Sequence, residues 1–498
     1  MKSLFAALVV LPLLLVVAGC DDDDDGGGVT TPPTTPPPQE SVALYDTTTD
    51  AGTGEEQIIV SEFAAEGEPG VIPGGGDGEI TWSSDNTYVL DGRVFVNPGQ
   101  TLIIEPGTVV KATPRVDPTR ASVLIVAAGG RIEADGTADA PIIFTTQDDD
   151  VTDPNDLPDN IDRTWGGVII LGNAPTNTGT NPNIEGIPTD EARGAYGGDD
   201  ADDDSGIFRY VSIRYGGVSI GSGNEINGLT MGGVGRGTTI EYVEVYNNLD
   251  DGFEWFGGTV DAKYLVSARN GDDSFDIDQG YSGRLQYLLA FQTPGRGDRT
   301  AEHDGGSDSF AGEDATPFAD PQIYNATYVG SGQDGDSDIA LKLRDNFAGN
   351  YFNSIFWDFP NQLIEVEDAE GGDSRQRWEE GDLTVENSLI WNFGSVTSTD
   401  AAAQFDELVE NDGAWGAEVA DDLEAYGNTY EDPELTRDLS GDLQVLGLVP
   451  AAGSPAASGA ATPSDDFFDT ADYRGAFEPG GTNWAKGWTF SDEVGLFE

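Results

Sequence analysis

Short runs of β-branched and aromatic residues, separated by Gly, Asn and Asp, follow one another along the chain from about Thr87. No helical spacing of apolar positions interrupts them, so the pattern is typical of strand after strand with tight turns between. The predicted strand runs are 88–96, 101–110, 122–132, 141–146, 168–171, 321–330, 338–344, 350–357 and 382–391.

The middle of the chain carries an internal repeat. Tyr242, Tyr264 and Tyr287 close three similar apolar phrases, at spacings of 22 and then 23 residues. The segment 248–253 is answered 22 residues later, with Asn, Asp, Asp and Phe at the same four offsets. Such a period holds three strands and three turns, which is one coil of a parallel β-helix. Leucine-rich repeats share this length, but their regular leucine pattern is missing here.

A coil of this kind cannot bury its apolar face alone, so stacked coils share one core. The preference of parallel crossovers makes the solenoid right-handed. The fold class is therefore all-β, a right-handed parallel β-helix over residues 81–395, with an entry or cap region at 41–80.

After residue 396 the pattern changes. Apolar positions at helical spacing between Ala401 and Tyr426 predict a short helix or pair of helices that covers the end of the solenoid. The rest of the segment 396–498 is predicted to be a capping tail whose aromatic residues serve as core anchors rather than as ligand platforms.

The N-terminus is typical of a lipoprotein signal. A basic residue and an apolar run precede Val17-Ala18-Gly19-Cys20, and Cys20 is the only cysteine. We expect residues 1–19 to be a signal peptide, Cys20 to be acylated, and 20–40, rich in Asp and Pro, to be a solvated tether. A plain secretory signal that ends near a cysteine is the alternative. The expected location is the bacterial outer membrane, at the cell surface, with the membrane as partner through the lipid anchor.

Acidic residues dominate the charge: 91 Asp and Glu against 23 Lys and Arg give a net charge of −68. Repulsion of this size excludes nucleic acid as a partner. It also destabilises a compact chain unless salt screens it, so we expect a halophilic host, or acids that bind calcium, or both.

Three phrases carry a family resemblance: Thr-Leu-Ile-Ile-Glu-Pro-Gly-Thr-Val-Val at 101–110, Trp-Gly-Gly-Val-Ile-Ile-Leu-Gly at 165–172, and Asp-Gly-Phe-Glu-Trp-Phe-Gly-Gly-Thr at 251–259. Together with the Tyr-Arg-Gly-Ala-Phe and Trp-x-x-Gly-Trp phrases of the tail, they resemble bacterial right-handed parallel β-helix (pectin-lyase-like) surface lipoproteins. The resemblance implies export, the β-helix and surface residence. It brings no agreed reaction.

The repeat places acids of neighbouring coils over one another, about 4.8 Å apart. Calcium takes six to eight oxygen ligands in irregular geometry, so paired carboxylates predict a calcium site. A solvated acidic edge is the alternative. No organic cofactor is expected. The predicted metal ligands are Asp250, Asp251, Glu254, Asp272, Asp273, Asp276 and Asp278.

An enzyme interpretation uses some of the same acids. Asp251, Asp272 and Asp273 lie in phrases similar to the aspartate motifs of polygalacturonase-type glycoside hydrolases, which imply an acid and a water-activating base. The neighbouring motifs depart from that family: the sole histidine, His303, lies in Glu-His-Asp, and Lys342-Leu343-Arg344 reverses the expected charges.

A lyase would instead place a basic residue beside bound calcium, for which Lys263, Arg269 and Arg284 are the options. A lone histidine such as His303 is more often a hydrogen-bonded structural residue than a catalyst.

The sequence thus leaves function open between classes. The favoured hypothesis is a non-enzymatic surface protein, a calcium-stiffened solenoid that binds glycans or envelope proteins or mediates adhesion. The second hypothesis is a polysaccharide-degrading hydrolase or lyase, and the third is an accessory subunit of a surface uptake system. Fold alone does not separate them.

Overall fold

Parallel strands of three to nine residues dominate the computed structural model, which describes residues 45–49, 54, 56–61 and 78–498. Within that last range it leaves out 116–117, 180–181, 222–223, 307–311, 313, 334, 370–372, 412 and 441–443. The predicted signal peptide, Cys20 and the tether lie outside the described residues, as does most of 41–80. The described residues belong to one unit, Ser41–Glu498.

One sheet of the solenoid has nine parallel strands and is called the front sheet here. Consecutive coils contribute one strand each, in register, with alternate side chains turned into the core. Its strands are Arg93–Val96, Val123–Val126, Val168–Leu171, Leu229–Gly232, Phe253–Phe256, Phe275–Asp278, Ala301–Asp304, Leu341–Arg344 and Ile364–Val366.

A second, 19-stranded sheet bends into two ladders, which are parallel except where Tyr45–Thr49 pairs antiparallel with Glu56–Ser61. Four long strands belong to both ladders: Gly206–Arg214, Thr239–Tyr246, Ala262–Ala268 and Arg284–Phe291. The side ladder adds Gly78–Trp82, Gln100–Ile104, Arg131–Asp135, Gln322–Tyr324, Asn350–Phe352 and Thr384–Glu386. The back ladder adds Tyr45–Thr49, Glu56–Ser61, Thr87–Asp91, Val109–Ala112, Ile142–Thr146, Thr327–Val329, Ile355–Trp357, Leu389–Trp391 and Thr429–Tyr430.

The three ladders enclose a continuous apolar core, as the all-β parallel β-helix prediction requires. Equivalent side chains of successive coils stack on one another, for example Phe253 on Phe275 with ring centroids 5.4 Å apart. Two small antiparallel strand pairs lie outside the two large sheets: Val218–Gly221 with Asn224–Ile226, and Thr436–Asp438 with Val445–Gly447.

The corner between the side and back ladders explains the tyrosine period. Tyr210, Tyr242, Tyr264 and Tyr287 occupy it on successive coils, with φ between 48° and 61°. This left-handed conformation is unfavourable for tyrosine. Their rings stack at centroid distances of 4.4, 4.3 and 4.8 Å, which offsets the backbone strain. Later coils place asparagine at the same corner.

Helices are short and lie mostly at the C-terminal end of the solenoid. Ala401–Glu407 and Gly413–Ala425 confirm the predicted helical segment, and their apolar sides join the core. Ser374–Glu380 and Phe490–Glu493 were not predicted, because each is too short for a periodic pattern. The described chain also has 3-10 turns at Pro118–Arg120, Ala192–Gly194 and Pro455–Ala457. None of the described helices is long and apolar enough to cross a membrane.

The C-terminal tail returns along the tyrosine corner. Trp484 lies edge-on to Tyr264 at 5.2 Å, and Trp488 lies edge-on to Tyr210 at 5.6 Å. Trp488 and Phe477 are almost fully buried. The prediction that these aromatics are core anchors is confirmed.

Candidate metal centre

The outer surface of the front sheet changes character along the solenoid. On early coils its outward side chains are apolar, for example Phe95, Ile125 and Ile169. From Glu254 onward the side chains of the same outward column are charged. Glu254 pairs in register with Asp276 on the next coil. The column then continues through Glu302, Lys342 and Glu365.

A second outward column lies two residues further along each strand. It contains Asp278 and Asp304, and Asp304 pairs in register with Arg344. Strand alternation therefore turns four acids of two neighbouring strands to the same side of the sheet.

The turns that precede these strands add more carboxylates. The Asp251 carboxylate accepts a hydrogen bond from the Asp273 backbone N–H at 2.9 Å. One coil later, the Asp273 carboxylate accepts from the Arg299 N–H at 2.6 Å. The predicted stacking of Asp251 over Asp273 is therefore present. Its carboxylates are held by backbone donors of the next coil.

Six of the seven predicted ligands come together in overlapping groups whose ligand oxygens lie within 4.8 Å of one another. Two groups share Asp251, and two share Asp272. Asp278 belongs to none of these groups among the described residues. The groups are Asp250, Asp251 and Asp272; Asp251, Glu254 and Asp276; and Asp272, Asp273 and Asp298.

Burial raises the pKa of these acids. The pKa of Asp250 rises to about 8, chiefly through burial and then through the charge of Asp272. Burial followed by neighbouring carboxylates raises the pKa well above the ordinary value for five more acids: Asp251, Glu254, Asp273, Asp276 and Asp278.

The group of Asp251, Glu254 and Asp276, called the central group here, is the most enclosed of the three. Asp251 is 9% exposed and Glu254 is 4% exposed. The Oδ1 atom of Asp276 is sealed from solvent and has no hydrogen-bond partner. An oxygen in this state is costly to bury unless an unseen donor or cation satisfies it.

On the next coils, arginine side chains neutralise the acidic residues. Arg299 pairs with Glu302 at 2.5 Å and with Asp298 at 2.6 Å, and Arg344 pairs with Asp304 at 2.6 Å and also with Glu302. In the described chain, no lysine or arginine forms an ion pair with an acid of the central group. The positive charge missing there has to come from bound protons or a cation.

The segment that follows strand Val168–Leu171 covers the acidic part of the front sheet. Asn177 donates to the Gly305 carbonyl at 2.6 Å, and the Tyr196 hydroxyl donates to Gln279 at 2.5 Å. Glu185 accepts from the Glu225 N–H at 2.6 Å. Burial raises the pKa of Glu185 to about 7, and the negative charge of Glu225 adds to the rise. The cover lies over part of the cluster, since Asp251 and Glu254 are buried while Asp272 stays exposed.

Sequence reasoning missed several members of this site: Glu185, Asp298, Arg299, Glu302 and Asp304. Glu302 lies 26 residues after Asp276, its partner in register, so the 22-residue period does not extend to this coil. The available signal was the alternation in Ala301–Asp304, whose two acids must face outward if the intervening histidine faces the core.

His303 points into the core. Its Nε2 lies 2.7 Å from the Tyr351 hydroxyl, and its Nδ1 lies 2.7 Å from the Glu302 carbonyl oxygen. Burial lowers its pKa to about 3, so the ring is neutral. The expectation of a structural histidine is confirmed.

The three basic residues considered for a lyase are engaged away from the central group. Lys263 and Arg284 lie on the side ladder and pair with tail residues Asp469 and Asp465. Arg269 donates to the carbonyl of Asp159. None of them forms an ion pair with a predicted metal ligand in the described chain.

The raised pKa values predict an inverted pH dependence when cations are removed. Asp250 and Glu185 titrate near 8 and 7 in the folded chain, against 3.8 and 4.5 ordinarily. The folded state therefore holds more protons between these values, and its stability falls as pH rises through them. In chelator we expect a higher melting temperature near pH 5 than near pH 8, and a smaller difference in Asp250→Asn. Equal or rising stability toward pH 8 would contradict the burial of these charges.

Comparison with known proteins gives a family match. A family model described as a pectate-lyase like beta helix domain matches residues 74–431. No curated protein and no solved structure matches the sequence. The matched range covers more than half of the chain and contains every residue of the three acidic clusters.

Proposed function

We propose that this chain, which belongs to the pectate-lyase-like β-helix family, is a calcium-binding, non-catalytic scaffold that binds glycans or neighbouring envelope components. The observation that carries the proposal is the central group, in which Asp251, Glu254 and Asp276 converge without a basic partner. The site lies on a rigid stack of coils, which suits a structural cation.

The electrostatics support a divalent cation. Three carboxylates in a nearly sealed space repel one another, and an unpaired buried charge costs several kcal/mol. A divalent ion bound between the carboxylates removes this cost, because its double positive charge offsets their negative charges at short range.

The ligand chemistry supports calcium among divalent ions. Calcium–oxygen distances of about 2.3 to 2.6 Å place two ligands of one ion at most about 5.2 Å apart. The ligand oxygens of each group lie within 4.8 Å of one another, which meets this limit. Carboxylates from three different chain positions also fit the irregular coordination that calcium accepts.

A polysaccharide-cleaving enzyme is the second candidate, favoured by Lys342 and Arg344 on the same outward columns as the acids. Both side chains are already paired, Lys342 with Glu365 and Arg344 with Glu302 and Asp304. A lyase base or a substrate clamp has to be free to meet its substrate. The scaffold is therefore the better supported proposal.

The cellular setting is part of the same proposal. An acylated Cys20 would anchor the protein in the outer membrane, and the tether 20–40 would hold the solenoid away from the surface. The net charge of −68 supports a high-salt environment, in which screening reduces self-repulsion. The same charge disfavours nucleic acid as a partner.

The test is calorimetric titration of calcium into the purified protein in high salt. We expect saturable binding that is lost in Glu254→Gln/Asp276→Asn, which removes two charges without changing side-chain size. Glu79→Gln/Asp85→Asn, at exposed positions of the early coils, is the matched control and should bind like the wild type.

The competing outcomes are distinct. Absence of saturable binding in the wild type would refute the cation site. Release of new reducing ends or unsaturated products from polysaccharides, lost in the double variant, would favour the enzyme instead.

A further inference from the structure

A polar cleft of about 830 Å³ lies along the side ladder, away from the outward columns of the front sheet. Its floor is formed by successive coils, and its walls come from the segment 316–320, the end of helix Ser374–Glu380, and the tail. The lining residues used below are Arg284, Phe318, Asp320, Gln322, Asn350 and Asp382.

The floor is a column of residues in register. Arg284 pairs with Gln322, Gln322 with Asn350, and Asn350 with Thr384. Arg284, Gln322 and Asn350 line the cleft, and Thr384 lies beyond its end. Three coils at a strand spacing of about 4.8 Å give the floor a length of roughly 10 Å. The hydrogen-bonding groups therefore repeat along the axis of the solenoid.

Two of the three floor side chains are held in place by neighbouring residues. Arg284 is bound by Asp261 and Asp465, the latter at 2.6 Å. The Asn350 Oδ1 accepts from the Thr384 hydroxyl at 2.8 Å, which fixes the orientation of the amide. Gln322 is exposed. The fixed side chains of Arg284 and Asn350 lose little side-chain entropy when the floor binds a ligand.

Residues of the cleft wall are also held by contacts with their neighbours. The Arg377 guanidinium lies 4.5 Å from the centroid of the Phe318 ring and pairs with Asp382 at 3.2 Å. Asp320 and Asp382 therefore line a cleft that also contains an aromatic ring and amide side chains. Planar amide and carboxylate groups beside a ring offer donors and acceptors suited to adjacent hydroxyl groups.

We infer that this cleft binds an extended neutral oligosaccharide, with about one sugar unit on each coil of the floor. The repeat of the floor matches a polymer whose units have a similar length. Charge excludes a polyanion, because three aspartates line the cleft against two arginines and the whole chain carries −68. This inference specifies the glycan-binding half of the proposed function and does not require the cation.

The experiment measures binding of linear neutral oligosaccharides of glucose, xylose and mannose, from two to six units, by calorimetry. For at least one of these sugars, we expect affinity to rise with length and to level off at about three units, the number of coils in the floor. Gln322→Ala/Asn350→Ala should weaken that affinity at least tenfold, because it removes two hydrogen-bonding groups of the floor. Asn86→Ala/Gln333→Ala, at exposed positions outside the cleft, is the matched control and should leave it unchanged.

Three results would overturn the inference: no binding of any neutral series, binding that the floor variant does not weaken, or tighter binding of hexagalacturonate or hexalysine. Calcium titration of the floor variant, and glycan titration in chelator, separate this site from the metal centre. Glycan binding lost only in chelator would place the glycan on the metal centre and also count against the cleft. Loss of calcium binding in Glu254→Gln/Asp276→Asn with intact glycan binding would leave both proposals standing.

Discussion

Replacing Glu244 by alanine is expected to lower the free energy of unfolding by about 3 to 5 kcal/mol, because its carboxylate is buried and fully engaged. Glu244 is 0% exposed. It accepts from the backbone N–H groups of Phe490 and Ser491 at 2.6 and 2.9 Å. It also accepts from the hydroxyls of Ser491 and Ser212 at 2.6 and 2.7 Å.

The substitution leaves these donors buried without an acceptor. Since two of them begin the helix Phe490–Glu493, the tail should detach where Trp484 and Trp488 pack on the tyrosine corner. Thermal or urea unfolding measures the stability loss, and limited proteolysis within 484–498 reports the detachment.

Glu241→Ala is the matched control, on the same strand but only partly buried and 3.5 Å from Arg209. We expect it to cost less than about 1 kcal/mol. Equal effects of the two substitutions would show that Glu244 does not hold the tail.

Glu254→Gln/Asp276→Asn is expected to change stability in opposite directions with and without calcium. In chelator the variant should be more stable than the wild type by about 1 to 4 kcal/mol, because it no longer has to bury or protonate two carboxylates that lack a basic partner. With calcium at 100 times its dissociation constant, the wild type should gain about 2.7 kcal/mol that the variant does not gain.

Urea unfolding in high salt, with calcium and with chelator, measures all four stabilities. The exposed pair Glu79→Gln/Asp85→Asn should follow the wild type in both conditions. A variant that is less stable than the wild type in chelator would mean that these carboxylates hold structural hydrogen bonds rather than an uncompensated charge.

The repeat was readable in the sequence because each coil returns the chain to the same corner. Tyr242 and Tyr264 recur at 22 residues since both occupy the left-handed position between two ladders. The 22-residue period also predicted that Asp251 stacks over Asp273, as the structure shows. It fails at Glu302 because the loop between the coils lengthens to give a 26-residue spacing, and the front-sheet column continues without a sequence signal.

Strand alternation and residue spacing therefore determine the β-helix, the stacking of the coils and most of the predicted ligands, since these depend on contacts between adjacent coils. Only the tertiary structure decides which acids are sealed, because sealing comes from segments distant in the chain. Asn177 reaches Gly305 across 128 residues to close the cover, and Glu244 meets Ser491 across 247 residues to dock the tail. No local pattern records such contacts, so the burial that raises the carboxylate pKa values appears only when the chain is folded.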